Sequence, residues 1–170
     1  MAGAGCRKFV VHARKAILSG LSPKENREVP PLRYDVVHRL KADFPDLFIV
    51  INGGIRDIET ARAELEAVDG VMIGREAYQH PWFLAQVEEA LLGGMPPASR
   101  VAVVEAMLPY VREQLEVGQR LHSITRHMLG LFAGQPGARA WRRHLSEKGV
   151  GPDAGVGTLE SALEWIVRAA

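Results

Sequence analysis

The clearest pattern of apolar and polar positions lies between residues 47 and 76. Residues 47–51 (LFIVI) are apolar without alternation, which predicts a parallel strand buried on both faces. Asp57 can cap a helix, and the apolar residues that follow it recur at helical spacing. A second apolar run, Val71–Ile73, comes after this helix. The stretch is therefore predicted to be a βαβ unit with two neighbouring parallel strands.

Apolar patterns on either side of this unit predict one more strand and several helices. Phe9–Val11 reads as a short strand, and residues 34–44 as an amphipathic helix. We expect this helix to turn Val36, Val37, Leu40 and Phe44 inward. Further helices are predicted after Pro81, over 101–115, where Pro109 should kink or interrupt the helix, over 121–132, over about 137–145 and over 158–167.

The segment Gly93–Ser99 (GGMPPAS) has the composition of a linker. Strands and helices alternate before it, whereas only helical patterns follow it. We therefore predict an α/β portion over residues 1–94 and a small all-α helical bundle over residues 95–170.

Composition narrows the class of protein. The chain has 170 residues, of which 47% are hydrophobic and 24% charged, as in ordinary globular proteins. It contains no apolar run of membrane-spanning length and no signal-peptide core, so a cytoplasmic location is the default expectation. Its one cysteine, Cys6, excludes an intramolecular disulfide and a cysteine-rich zinc site.

Charge is unevenly distributed along the chain. Residues 1–41 carry nine Lys/Arg against three Asp/Glu, and residues 119–148 carry six against one. The intervening residues 42–118 are acidic, with five against thirteen. Two basic segments that converge on one face would attract a polyanion such as nucleic acid, although solvated helix faces without a partner give the same pattern.

Both strands of the βαβ unit end in glycine. Asn52-Gly53-Gly54 follows the first strand and Gly74-Arg75 the second. Glycines let backbone N–H groups approach an anion, and arginine offers a fork that suits phosphate oxygens. The pattern favours a phosphate site of the kind found at the ends of barrel strands, while a tight turn beside a surface charge stays the alternative.

Three further groups are candidates for function. His12 ends the first strand, where side chains of barrel enzymes face the active site. Ser22-Pro23-Lys24-Glu25 predicts a capped helical turn that puts Lys24 and Arg27 on one face, as a phosphate clamp or as ordinary solvated charges. Tyr78 and Trp82 read either as a stacking platform for a base or flavin or as packed core.

The predicted helix near residue 140 carries Arg139, Arg142 and Arg143 on one stripe. Arg126 and His127 on the preceding helix add to this basic patch. Arginine makes bidentate phosphate contacts and stacks on unpaired bases, which favours contact with RNA.

Four stretches together carry a resemblance to a known family. They are VVHARKAILSGLSPKENREVPPLRYDVV, INGGI, DGVMIGREAY and SITRHMLGLFAGQPGARAWRRHLSE. From about Phe9 to Leu163, the chain resembles the C-terminal half of a tRNA-dihydrouridine synthase of the A subfamily. The resemblance implies the C-terminal part of an FMN-binding (β/α)8 TIM barrel followed by a helical tRNA-binding domain. It also implies reduction of a D-loop uridine (positions 20/20a type) to 5,6-dihydrouridine, with NADPH as reductant.

Residue by residue, the resemblance assigns two sets of roles. The set expected to hold FMN is His12, Asn52, Gly53, Gly54, Gly74 and Arg75. The set expected to contact tRNA is Lys24, Arg27, Arg139 and Arg142. The family's proton-donating cysteine motif (Asn-x-Gly-Cys-Pro) is absent, and Cys6 does not match it. We therefore expect an N-terminally truncated chain with no catalytic residue of its own, marginally stable and inactive without the missing half of the barrel.

Two alternatives belong to other classes. One is another FMN-binding barrel oxidoreductase, of the dihydroorotate dehydrogenase type, which would act on a small molecule and would not need the arginine helix. The other is a non-catalytic tRNA-binding module, which would bind tRNA without flavin.

Overall fold

Three parallel strands form the only sheet of the chain, which the computed structural model describes over all 170 residues. The strands are β1 (Lys8–His12), β2 (Phe48–Asn52) and β3 (Gly70–Met72), in the spatial order β1-β2-β3. Each connection contains a helix, as parallel neighbours require. The predicted α/β class and the βαβ unit are confirmed.

One face of the sheet is covered and the other is open. Ile49 and Ile51 of β2 are fully buried, and partly buried apolar residues of the flanking strands (Phe9, Val11 and Val71) pack beside them. On the opposite face Val10 is 59%, Phe48 42% and Met72 44% exposed. The prediction of a strand buried on both faces is therefore wrong for β2, because helices cover only one side of the sheet.

Two helices connect the strands. Helix α1 (Tyr34–Asp43) precedes β2, and helix α2 (Ile58–Leu65) lies between β2 and β3. Val37 of α1 is buried as predicted, but Val36 and Phe44 are each half exposed, so their inward orientation is wrong. Val37 is the one buried residue of α1, and Tyr34 and Leu40 pack against the same core while partly buried.

Hydrogen bonds from side chains fix the ends of these elements. Asp57 caps α2 as predicted, because its carboxylate accepts the Thr60 N–H over 2.7 Å. Asp69 accepts the Ile49 N–H over 2.8 Å and pairs with Nζ of Lys41, also at 2.8 Å. These contacts hold the start of β2 against α1 and β3.

Contacts divide the chain into two units, Met1–Glu76 and Ala77–Ala170. We call them the sheet unit and the helical unit, since all three strands lie in the first. The boundary lies ahead of the Gly93–Ser99 segment, which has no helix or strand. The division into functional domains at residues 1–94 and 95–170 stays a prediction.

The elements after β3 are all helical. Their bounds are α3 (Arg75–Gln79), α4 (Phe83–Val87), a π-helical turn (Glu88–Leu92), α5 (Arg100–Glu116), α6 (Leu121–Thr125), α7 (Ala138–Lys148) and α8 (Val156–Val167). The predicted interruption at Pro109 is wrong, because α5 continues through it. The helix predicted to reach Phe132 ends at Thr125 and continues as turns. None of the helices has the length and apolar character needed to cross a bilayer.

Trp141 lies at the centre of the helical unit, where it is fully buried. Its ring meets Phe132 edge-to-face with centroids 4.9 Å apart, and its indole N–H donates to the Met128 carbonyl over 3.3 Å. This single side chain therefore joins α7 to the turns that follow α6.

Candidate functional site

The ends of the three strands bring the predicted sheet-unit residues to one edge. The register pairs His12 with Asn52, and the Ala13 N–H donates to the Asn52 carbonyl over 2.7 Å. Gly53 follows β2 directly, and Arg75 lies three residues beyond the end of β3. Because parallel strands end at a common edge, the side chains of His12 and Asn52 and the two glycine segments share one site.

Positions 53 and 54 both favour glycine. Their φ angles are 122° and 77°, in the region that side chains rarely adopt. A Cβ on Gly54 would lie 2.5 Å from Leu32 Cδ1 and 2.9 Å from Tyr34 Oη. The Tyr34 hydroxyl donates to the Gly53 carbonyl over 2.7 Å. Leu32 and Tyr34 therefore pack directly against this turn.

The surroundings of His12 lower the pKa of its imidazole. Burial lowers the pKa of its imidazole from 6.5, and the positive charges of Arg14, Arg75 and Arg27 lower it further. The Arg14 backbone N–H donates to Nδ1 of His12 over 3.2 Å. The neutral ring therefore carries its proton on Nε2, which is free to donate a hydrogen bond to a ligand.

Arg14 is a site residue that sequence reasoning missed. Its Nε donates to the Pro30 carbonyl over 2.8 Å, while its Nη1 is buried without any hydrogen-bond partner. That Nη1 lies 3.6 Å from the position a Cβ on Gly53 would take. A buried, unpaired cationic nitrogen is costly, and it is a donor that suits an anion or another acceptor. The His-x-Arg spacing at the end of β1 was the signal that could have revealed it.

Arg75 is partly occupied by contacts within the sheet unit. Its guanidinium donates to the Glu28 carboxylate over 3.0 Å and to the Arg27 carbonyl over 3.1 Å. These contacts join the end of β3 to the long connection after β1, which sequence reasoning did not foresee. Gly74, beside it, has open space where a Cβ would stand, so sterics within this chain do not require glycine there.

The connection that carries Lys24 and Arg27 is ordered. Ser22 and Glu25 form the predicted reciprocal cap, since the Ser22 N–H donates to the Glu25 carboxylate over 2.7 Å and Ser22 Oγ accepts the Glu25 N–H over 3.2 Å. A 3₁₀ turn, Glu25–Arg27, follows. The Asn26 side-chain amide accepts a hydrogen bond from the Ile17 N–H and donates one to the Ile17 carbonyl. Lys24 and Arg27 stay exposed.

Several arginines lie close to His12 at this edge of the sheet. Three arginines act electrostatically on His12, and only one carboxylate, that of Glu28, pairs with any of them. No cluster of His, Cys, Asp or Glu is placed to hold a metal ion. Cys6 lies before β1, whereas His12 is the last residue of that strand. At 3.3 Å per residue, the strand is about 13 Å long from Lys8 to His12, so Cys6 lies at least that far along the chain from the site. Cationic side chains beside a glycine turn have the chemistry that suits a phosphate group.

A second candidate surface lies in the helical unit. Ala138, Trp141 and Leu145 form the buried side of α7. Arg139 and Arg142 are exposed on its other side, and neither is paired with a carboxylate. Their guanidinium groups are therefore available to a polyanion.

Comparisons with known proteins point to one family. The family model described as Dihydrouridine synthase (Dus) matches residues 1–164. A Shewanella oneidensis protein named tRNA-dihydrouridine(20/20a) synthase is 58% identical over 163 residues, which cover 95% of this chain and 49% of the relative. Proteins of the same name from Vibrio cholerae and Escherichia coli K12 are 52% and 56% identical, and each match again covers 95% of this chain. The chain spans about half the length of these curated relatives.

Proposed function

The chain belongs to the dihydrouridine synthase family, and from that premise we propose that it supplies the flavin-phosphate site and part of the tRNA-binding surface of a tRNA-dihydrouridine synthase. Family membership confirms the resemblance that the sequence motifs carry, and it implies a fold of the TIM-barrel type. In this proposal β1, β2 and β3 are consecutive barrel strands. The substrate is a D-loop uridine of the 20/20a type, the positions that the relatives' names give.

The proposal depends most on one observation, the buried and unpaired Nη1 of Arg14 beside the glycine that follows β2. The residues at this edge fit FMN, because cationic side chains surround a glycine turn where a phosphate can approach the backbone. We assign FMN binding to His12, Asn52, Gly53, Gly54, Gly74 and Arg75, and we add Arg14.

When bound and reduced by NADPH, FMN would supply the hydride that reduces the C5–C6 bond of uracil. The role of His12 in this proposal is to donate its Nε2 proton as a hydrogen bond to an acceptor atom of the cofactor. The arginines hold the phosphate and compensate its charge. The Glu28 carboxylate, which pairs with Arg75 over 3.0 Å, compensates part of the positive charge at this edge.

No group of this chain is assigned as the proton donor to C5 of the uracil. Cys6 is exposed, and its thiol donates to the Lys8 carbonyl over 3.3 Å at the opposite end of β1. The chemistry therefore depends on groups outside the chain described here. For tRNA, we propose contacts with Lys24, Arg27, Arg139 and Arg142, and the sequence favours a cytoplasmic location for the reaction.

A segment exchange tests this function. The matched 162 residues of the Escherichia coli K12 relative are replaced by this chain, and the exchanged protein is produced in cells that lack the native synthase. We expect bound flavin and dihydrouridine at positions 20 and 20a by mass spectrometry of tRNA. The Arg14→Met variant should lose both, whereas Arg33→Met, which changes an exposed arginine paired with Asp35, should keep both.

Measuring tRNA binding by the same exchanged protein separates the alternatives. Flavin binding without tRNA binding or dihydrouridine would favour a barrel enzyme for a small molecule. Binding of tRNA without flavin would favour a non-catalytic module. Either outcome would overturn the proposed function.

A further inference from the structure

Tyr78 and His127 form an aromatic pair on the surface of the helical unit. Their ring centroids are 5.4 Å apart and the planes are nearly perpendicular, at 81°. Tyr78 is 57% exposed, so the alternative that it packs in the core is wrong. Trp82, the other aromatic of this segment, is only partly exposed, and the Arg100 guanidinium lies 5.4 Å from the centre of its ring.

The backbone segments that carry Tyr78 and His127 pack closely against each other at Gly130. A Cβ on Gly130 would collide with the Gln79 carbonyl and lie 3.3 Å from Pro81 Cδ. Glycine at this position therefore lets the segment that carries Tyr78 press against the turn that carries His127. On the other side of the same turn, the Met128 carbonyl accepts the Trp141 indole N–H. The two rings are thus carried by backbone segments in close contact, and such preorganisation lowers the entropy lost on binding.

A cation lies directly beside the aromatic pair. Nε of Arg126 donates to Nε2 of His127 over 3.0 Å, and both side chains are exposed. The segment 119–148 around them carries six Lys/Arg against one Asp/Glu. Aromatic faces next to an arginine in a basic segment match the chemistry of an unpaired nucleotide, whose base stacks while its phosphate meets the cation.

We propose that Tyr78, His127 and Arg126 form a platform on which one unpaired base of the bound tRNA stacks. We call these three residues the stacking platform. The inference rests on the proposed function and deepens it, since it names the residues of the helical unit that bind a base which is not stacked within the RNA. A double-stranded region has no free base face to offer, so the platform selects a loop or another unpaired segment.

The test measures binding of a fluorescein-labelled, unmodified tRNA transcript to the 170-residue chain by anisotropy, over a series of salt concentrations. Loss of one stacked base should weaken binding about 5- to 150-fold in Tyr78→Ala. Because stacking releases no counterions, the slope of log affinity against log salt should stay unchanged. Arg126→Gln, in contrast, should reduce that slope by about one.

Two variants serve as controls. Tyr78→Phe keeps the ring and should bind as tightly as the unchanged chain. Tyr110→Ala removes a tyrosine of α5 that is 47% exposed, comparable with Tyr78, and it should leave affinity unchanged. Should Tyr78→Ala fail to fold, Tyr78→Leu keeps an apolar side chain of similar reach and replaces it in the comparison.

The possible failures are distinguishable. If the unchanged chain binds tRNA and a folded Tyr78 variant without an aromatic ring binds equally well, the stacking platform is overturned and the proposed function stands. If only the exchanged protein binds tRNA, the same variants are compared in that protein. If neither the unchanged chain nor the exchanged protein binds tRNA, both the platform and the tRNA part of the proposed function are overturned.

Discussion

The backbone N–H of Arg14 donates a hydrogen bond to Nδ1 of His12, over 3.2 Å, at the edge where β1 ends. This contact selects the neutral tautomer whose Nε2 carries the proton. Burial and three neighbouring arginines act in the same direction, because each disfavours a positive charge on the ring. The protonation state of His12 thus follows from local geometry and local charge together.

The first prediction concerns the titration of His12. Its pKa in the folded chain lies below the ordinary value of 6.5, and adding inorganic phosphate or FMN should raise it, because an anion favours the protonated ring. The measurement is a pH titration of the histidine ring signals by NMR, with His12→Gln identifying the His12 signals. An unchanged pKa in the presence of a bound anion would contradict the placement of the phosphate near His12.

The same shift has a consequence for stability. A lowered pKa means that protonation favours the unfolded chain. The contribution of neutral His12 to the free energy of unfolding is therefore complete above pH 6.5 and is lost as the pH falls towards the folded pKa. The difference in stability between the unchanged chain and His12→Gln should shrink over this range, as measured by urea unfolding at several pH values.

The second prediction compares two glycines of the same edge. Gly54→Ala should lower the free energy of unfolding by about 1–3 kcal/mol, because φ is 77° and the new Cβ would crowd Leu32 and Tyr34. Gly74→Ala is the matched control. Nothing lies within 4 Å of its Cβ position, and we expect a change within about 0.5 kcal/mol by urea unfolding. Equal effects of the two substitutions would contradict the described turn.

The third prediction concerns the ion pair between Arg75 and Glu28. Both side chains are partly exposed, at 39% and 46%, so Glu28→Gln should change stability by less than about 1 kcal/mol. In the exchanged protein it should nevertheless strengthen FMN binding, because the Arg75 charge is no longer compensated by a carboxylate. Arg75→Ala should weaken FMN binding. Weaker FMN binding in Glu28→Gln would show that the carboxylate serves chiefly to position Arg75.

The fourth prediction concerns α7. Arg139→Gln and Arg142→Gln should each weaken tRNA binding by the 170-residue chain and reduce its salt slope by about one, since each removes one phosphate contact. Arg168→Gln is the control, because that guanidinium is already paired with Glu164 over 2.6 Å. A salt slope that stays constant in both α7 variants would exclude them from the RNA interface.

Much of the fold follows from local sequence signals. The βαβ unit, the Asp57 cap and the Ser22–Glu25 cap each depend on residues close in sequence, so the pattern predicts them correctly. The open face of the sheet was not predictable in this way, because an apolar strand looks the same whether or not a partner covers its second face. The continuation of α5 through Pro109 likewise depends on packing that the sequence pattern does not encode.

The candidate site shows the same division. His12, Gly53 and Gly54 were identified because a strand end or a glycine pair is visible in the sequence. Arg14 was missed, since only the structure reveals that its Nη1 is buried and unpaired. The bond from Arg75 to the Arg27 carbonyl joins residues 48 positions apart, and no local pattern predicts such a contact.

The most direct test of the central claim compares FMN with riboflavin, which has the same ring system but no phosphate, as ligands of the exchanged protein. If the strand ends at His12, Gly53 and Arg75 hold a phosphate, the protein should bind FMN far more tightly than riboflavin. Arg14→Met and Arg75→Ala should then remove most of that preference. Equal affinity for the two flavins, or a preference unaffected by both substitutions, would contradict the account.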